Sequence, residues 1–136
     1  MSDIQPLTTI GSAQVTAAAT LMLSSVSMGD GLAGLSGFVR FSGTGGSAVD
    51  VYLQQSPDGG TTWLDAYNAH FAAAGVALFS LLQGAAANLT VGDGALASNT
   101  ALNSGVMPLF DNWRLKIVST GTWVSGQVTA YGMPRG

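Results

Sequence analysis

The chain has no cysteine and no glutamate, and among its 136 residues there is one histidine, His70, and one lysine, Lys116. Without cysteine there is no disulfide framework, no thiolate nucleophile and no cysteine-ligated zinc. Without glutamate or a second histidine, the partner that general acid–base cleavage of RNA normally uses is missing. Charged residues make up 8% of the sequence, where about 25% is ordinary. Gly, Ala, Ser and Thr take their place. A surface so short of charge is poorly protected against association, so the composition points to a protein packed against neighbours. The net charge of −3 provides no basic stripe for a nucleic acid.

Long apolar runs are also missing. The longest, around residues 71–82, is too short to span a bilayer and is broken by Gly75 and Ser80. Residues 15–23 imitate the apolar core of a signal peptide, but no Lys or Arg precedes them, the first being Arg40. The expectation is a soluble, unprocessed chain without a membrane partner. Asn88-Leu89-Thr90 matches a glycosylation sequon, which without a secretory signal is read as chance. One domain is expected at this length, burying roughly two thirds of the surface its unfolded form exposes.

What is present is alternation punctuated by glycine. The best-determined stretch is Ser56-Pro57-Asp58-Gly59-Gly60-Thr61-Thr62-Trp63. Pro57 presets a turn φ, Asp58 can accept bonds from backbone N–H groups just ahead, and Gly59 and Gly60 supply positive φ. Val49, Val51 and Leu53 alternate with polar residues before this corner, and Leu64 and Ala66 with Trp63, Asp65 and Tyr67 after it, so the spacing predicts a hairpin.

In chain order, residues 1–12 read as an arm, 13–132 as the folded domain and 133–136 as a tail. Alternation over 13–23 predicts one half-buried strand, with helix as the competing reading because of its alanines. Residues 35–42 predict another. A turn centred near Gly45 places Phe38 opposite Tyr52 and Arg40 opposite Asp50, a cross-strand pair that sets register. Together with 49–55 and 62–70 this makes a three-stranded meander. Residues 72–83 favour strand, though their alanines also allow a short helix, and Leu89 and Val91 suggest a short strand. The stretch 84–104 is a long loop, of the kind that is either functional or ordered by a partner. Trp113, Leu115 and Ile117, the turn Thr120-Gly121-Thr122 and the return through Val124, Val128 and Ala130 predict a closing hairpin. Seven to eight short strands with Gly-rich turns read as an all-β fold, an antiparallel β-sandwich or small jelly roll.

No catalytic set is visible. His70 lacks an evident partner and reads as a strand residue with a local hydrogen bond. Asp30, Asp58 and Asp93 read as turn formers, since no Asp-x-Asp-x-Asp cluster exists to hold calcium, and neither a metal nor a cofactor is expected. Trp63, Trp113, Trp123, Tyr52, Tyr67 and Tyr131 could form a stacking platform for a sugar, but aromatics on strands more often serve core or interface. Arg114 and Lys116 share a strand face, read as solvated or inter-subunit.

Ser56, Asp58, Gly60, Thr62 and Trp63 fill all five defined positions of Ser-x-Asp-x-Gly-x-Thr-Trp, so the corner resembles an Asp box. Such boxes recur in sialidase-like propellers and occur singly in unrelated β-proteins. The resemblance implies a structural role: the aspartate organises the turn and the tryptophan packs beneath it. A sialidase would need several blades, an arginine cluster and acidic partners, and this chain has one box and three arginines. More broadly, the arm, the run from Val51 to Asp65 containing Leu-Gln-x-Ser-x-Asp-Gly-Gly-x-Thr-Trp, and the late Arg114-x-Lys116 strand with its Gly-Thr turn resemble the small β-sandwich structural proteins of tailed bacteriophages. That resemblance implies a non-enzymatic virion component: a capsid decoration or cement protein, or an accessory protein of the neck or tail. Its partners would be copies of itself and the major capsid protein or other virion proteins. A carbohydrate-binding module on a host-recognition structure is the alternative from a different class.

Overall fold

The computed structural model describes residues 7–84 and 89–136. Asn88 of the sequon and the first six residues of the expected arm lie outside these. Ten strands form among the described residues: β1 (Thr8–Val15), β2 (Ala19–Met22), β3 (Val26–Ser27), β4 (Gly34–Thr44), β5 (Ala48–Ser56), β6 (Leu64–Phe71), β7 (Gly75–Gln83), β8 (Val106–Met107), β9 (Asn112–Thr120) and β10 (Val124–Arg135). They make two five-stranded sheets. The first has the order β1-β10-β4-β7-β8, and the second the order β2-β9-β5-β6, with β3 also paired to β9. All pairs are antiparallel except β7 with β8. The expected all-β sandwich is what forms, with ten strands in place of seven or eight.

The core lies between the sheets, where alternate residues of each strand point inward. Leu35, Val39 and Phe41 of β4, Leu81 of β7 and Val128 and Ala130 of β10 meet Val49, Val51 and Leu53 of β5 and Trp113, Leu115 and Ile117 of β9. Each large side chain removed from water in this way contributes about 1.5–3 kcal/mol. Edge-on contact between Phe41 and Trp123, 4.8 Å between ring centroids, closes one end of the core.

Several boundaries differ from expectation. The stretch 13–23 is not one strand: β1 ends at Val15, and the chain crosses to the other sheet before β2. Residues from Thr8 belong to β1 and those to Arg135 belong to β10, so both the inner part of the arm and most of the tail are sheet. Leu89 and Val91 are not in a strand.

The larger correction concerns the corners. The turn after β4 and the turn between β9 and β10 each carry the chain from one sheet to the other, so neither is a hairpin, and no β4-β5-β6 meander forms. Phe38 faces Tyr131 and Leu78, not Tyr52. Arg40 lies opposite Thr129 and Val76, and Asp50 opposite Val118 and His70, so the Arg40–Asp50 pair does not exist. The two crossings lie side by side, with Ser47 N–H donating to the Thr120 carbonyl at 3.0 Å. Gly46 packs flat on the Trp123 indole, where a Cβ would come within 2.2 Å. Alternation specifies which side chains point inward. It is silent on which of two sheets a strand joins, because both sheets share one core.

Candidate functional site

The corner at residues 56–63 is the turn that stays within its sheet, joining β5 to β6. Ser56 Oγ donates to Asp58 Oδ1 at 2.8 Å and accepts from Gly60 N–H at 2.8 Å. Asp58 Oδ1 also accepts from Thr62 N–H at 2.7 Å. Gly59 and Gly60 take φ of 75° and 105°, a conformation that glycine adopts without a Cβ clash. The hydrogen bonds from Thr62, and then from Ser56, hold the Asp58 carboxyl at about 2, below its ordinary 3.8. Trp63 Nε1 donates to the Gly60 carbonyl at 3.1 Å. Its ring meets the Arg114 guanidinium at 4.5 Å, so the corner is fastened to β9 through a cation–π contact.

Beside this corner, the outward face of the second sheet carries a polar network. In register across β6, β5 and β9 lie His70-Asp50-Val118, Asn68-Tyr52-Lys116 and Asp65-Gln54-Arg114. A bulge between Leu53 and Gln54 brings Asp65 into line with Gln54, so two acidic or amide groups that strict alternation would separate share one face. Asp65 is 1% exposed and Gln54 fully buried. Gln54 Nε2 donates to Asp65 at 2.9 Å and to Asp93 at 2.6 Å, while its Oε1 accepts from Arg114 Nε at 2.8 Å.

The long loop supplies the rest. Gly94 N–H donates to both Asp65 oxygens at 2.8 and 2.9 Å, and Ala95 and Leu96 N–H to Oδ2 at 2.8 and 3.1 Å. Successive amides converge on the carboxylate as they do in an anion-binding nest. The Asp65 carboxylate fills this nest from within the chain. Asp93 accepts from Lys116 Nζ at 3.1 Å, with Arg114 Nη2 at 3.9 Å. These contacts, led by the bond from Gln54, hold its carboxyl below the ordinary value. Burial lowers the Arg114 guanidinium from its usual range, and Asp93 partly offsets this.

The same loop covers the free edge of β6. Asp65 N–H donates to Gly92 O, Asn68 N–H to Thr100 O, and His70 N–H to Asn99 Oδ1, at 2.9–3.0 Å. Residues 92–100 of the loop are therefore held by their own chain, through residues of β6. Arg114 and Lys116, expected on a solvated or inter-subunit face, are drawn into this internal network, their side chains 12% and 18% exposed.

His70 has a partner after all. Its Nδ1 lies 2.8 Å from Asp50 Oδ1, which also accepts from Asn68 Nδ2 at 3.4 Å. The pair sits across one strand interval, a contact that only the sheet register creates. The six aromatics do not gather on one face: Trp113 and Trp123 are in the core and Tyr67 is buried with them, Tyr131 lies on the opposite sheet against Phe38, Tyr52 stands between Asn68 and Lys116 on the outward face of the second sheet, and Trp63 is covered on one side by Arg114. Among the described residues, no three His or Asp side chains gather as metal ligands would. What this face does chemically is neutralise itself, each charge meeting an amide, an opposite charge or a ring.

Asp65, Gln54 and Asn68 were not singled out in the sequence. A signal was available in the adjacent polar pair Gln54-Gln55, which breaks the alternation of β5, together with Gly92-Asp93-Gly94, whose small residues let backbone amides approach a carboxylate. No family model matches this chain, and neither does any curated protein or solved structure.

Proposed function

We propose that this protein is a non-enzymatic structural component of a bacteriophage virion, a capsid decoration or cement protein that assembles as an oligomer on the particle. The observation that carries the reading is the outward face of the first sheet. Leu78, Val76, Leu82 and Met133 stand exposed there, with Phe38 and Tyr131 between them, their ring centroids 5.1 Å apart. Ser36 and Ser80 stand among them, their Oγ atoms 3.3 Å apart, and Arg40 is in register with Val76; several exposed apolar side chains on one face of a chain with so little charge are what a subunit carries when neighbours cover it. The resemblance of residues 51–65 and 113–130 to phage sandwich proteins supplies the setting.

The test is quantitative mass spectrometry of purified particles from the phage that encodes the chain. A copy number in fixed proportion to the major capsid protein supports decoration. A small ring-like copy number moves the protein to neck or tail, and absence from particles overturns the reading. A glycan array tests the carbohydrate alternative directly, with Trp63 as the aromatic to substitute because Trp123 is buried.

A further inference from the structure

We propose that the open edge of β7 is a self-pairing surface, through which two copies join antiparallel about a two-fold axis at Ala77 and make one continuous sheet across the dimer. The proposal names a surface for the assembly described above and rests on that reading.

Three features of the edge point to a second copy. First, β7 is paired on one side along its length with β4, but on the other side only at Leu82 and Gln83, with β8. Gln83 N–H donates toward β4, to Ala33 O, while Gly84 N–H donates the other way, to Met107 O. Backbone groups alternate sides along a strand, so the N–H and C=O of Val76 and Leu78 point out of the sheet edge. Near Ser80 the turn at Gly105 closes in, where a Cβ would lie 2.8 Å from the Ser80 carbonyl. Among the described residues, the stretch left open is therefore 75–79.

Second, that stretch is self-complementary. Antiparallel pairing centred on Ala77 places Val76 opposite Leu78 of the second copy, twice, with the outward-pointing groups of both residues bonded across the axis. The same two side chains are among the most exposed apolar ones in the chain, Val76 at 58% and Leu78 at 78%. An isologous contact of this kind closes on itself and does not propagate into fibres. In register behind Leu78 stand Phe38 and then Tyr131, and behind Val76 stand Arg40 and Thr129, so each apolar row would run from Tyr131 through Phe38 and Leu78 to Val76 of the second copy.

Third, the devices that normally keep an edge from pairing are absent. Edge strands are protected by charges, proline or bulges, and residues 71–92 contain no Asp, Glu, Lys, Arg or Pro. The pairing of β7 with β4 shows no register shift. The nearest charge is Arg40, on β4 opposite Val76, one strand behind the edge.

The experiment is sedimentation equilibrium of the full chain over a concentration series, with amide hydrogen exchange on the same samples. Wild type is expected to dimerise, and the amides of Val76 and Leu78 to gain protection as it does so. Leu78→Lys should raise the dissociation constant by about tenfold or more, since it sets like charges near the axis, without lowering the melting temperature of the dilute monomer. Met22→Lys, at a well-exposed apolar position on the other sheet, should dimerise as wild type does. A dimer that persists in Leu78→Lys, or edge amides that stay unprotected in it, overturns the pairing and leaves the virion reading standing. A wild type that is monomeric at every concentration yet adds to particles also overturns it, and if Leu78→Lys then loses that addition the edge pairs with another virion protein. A monomer that adds to no particle removes both proposals.

Discussion

The outward faces of the two sheets start from the same material, alternating strands whose inner residues share one core, and end opposite in character. On the second sheet, Asp65, Gln54, Asp93, Arg114 and Lys116 bond to one another and to the amides of a loop that folds over the β6 edge. On the first, Val76, Leu78, Leu82 and Met133 face solvent, and no described residue pairs with the β7 edge from Gly75 to Phe79. The difference lies in how each edge is treated. A buried carboxylate must be met by donors or it costs several kcal/mol, and the chain spends a long loop on doing so. Exposed leucine and valine impose no such demand on the monomer, and they are stabilised only when another surface covers them. One face is therefore complete within the chain, and the other is where an assembly has something to gain.

Substitutions on the first of these faces should be costly and on the second nearly silent. Asp65→Ala is expected to have the largest effect. It leaves three loop amides and the Gln54 amide without their acceptor in a buried site, for a loss of about 3–5 kcal/mol in urea unfolding. Exchange of the Gly94, Ala95 and Leu96 amides should speed up with it. If stability fell by less than about 1 kcal/mol, the network would not be what holds the loop.

Trp63→Ala should cost less, about 1 kcal/mol, through the lost stacking on Arg114 and the lost bond to Gly60. Addition to particles should fall only as far as stability does. Binding abolished at an unchanged melting temperature would make the corner a contact site and blur the distinction between the two faces.

For Asp58→Asn the sign follows from the lowered carboxyl. A group held at about 2 in the folded protein, against 3.8 ordinarily, contributes stability that is fully present above the ordinary value and is lost as pH falls through about 2. Wild type should exceed the variant at neutral pH, and the gap should narrow between about pH 4 and pH 2 in thermal melts. A gap that stayed constant over that window would mean the carboxylate charge plays no part in the turn.

The smallest effect belongs to the open face. Leu78→Ser should change the unfolding free energy of the monomer by no more than about 0.5 kcal/mol. A substantial loss would show that Leu78 is packed within the monomer and not held out for a partner.

Much of the fold was legible because alternation reports burial directly: β4, β5, β7, β9 and β10 fall where Val39, Val51, Leu81, Leu115 and Val128 point inward. The corner at Ser56 to Trp63 was legible for a different reason, since its geometry is set by bonds between near neighbours. Sheet membership was not. The turn at residues 43–46 and the turn at 120–122 look like hairpin turns, and the strand pairing on either side of them shows that they change sheets. The polar face was hidden for a related reason. The Asp50–His70 contact depends on register, Asp65 enters the network through a bulge, and its donors come from about thirty residues further along the chain. Contacts of that range leave no local periodicity.

Peptide-resolved hydrogen exchange of the wild-type chain, measured at low and high protein concentration, tests the contrast between the two faces most directly. Amides at residues 94–96 and at Asn68 should be protected equally at both concentrations, because their acceptors lie within the chain, while those of Val76 and Leu78 should exchange freely when dilute and become protected when concentrated. Concentration-dependent protection of the loop, or edge amides of β7 already protected in the dilute monomer, would contradict the account.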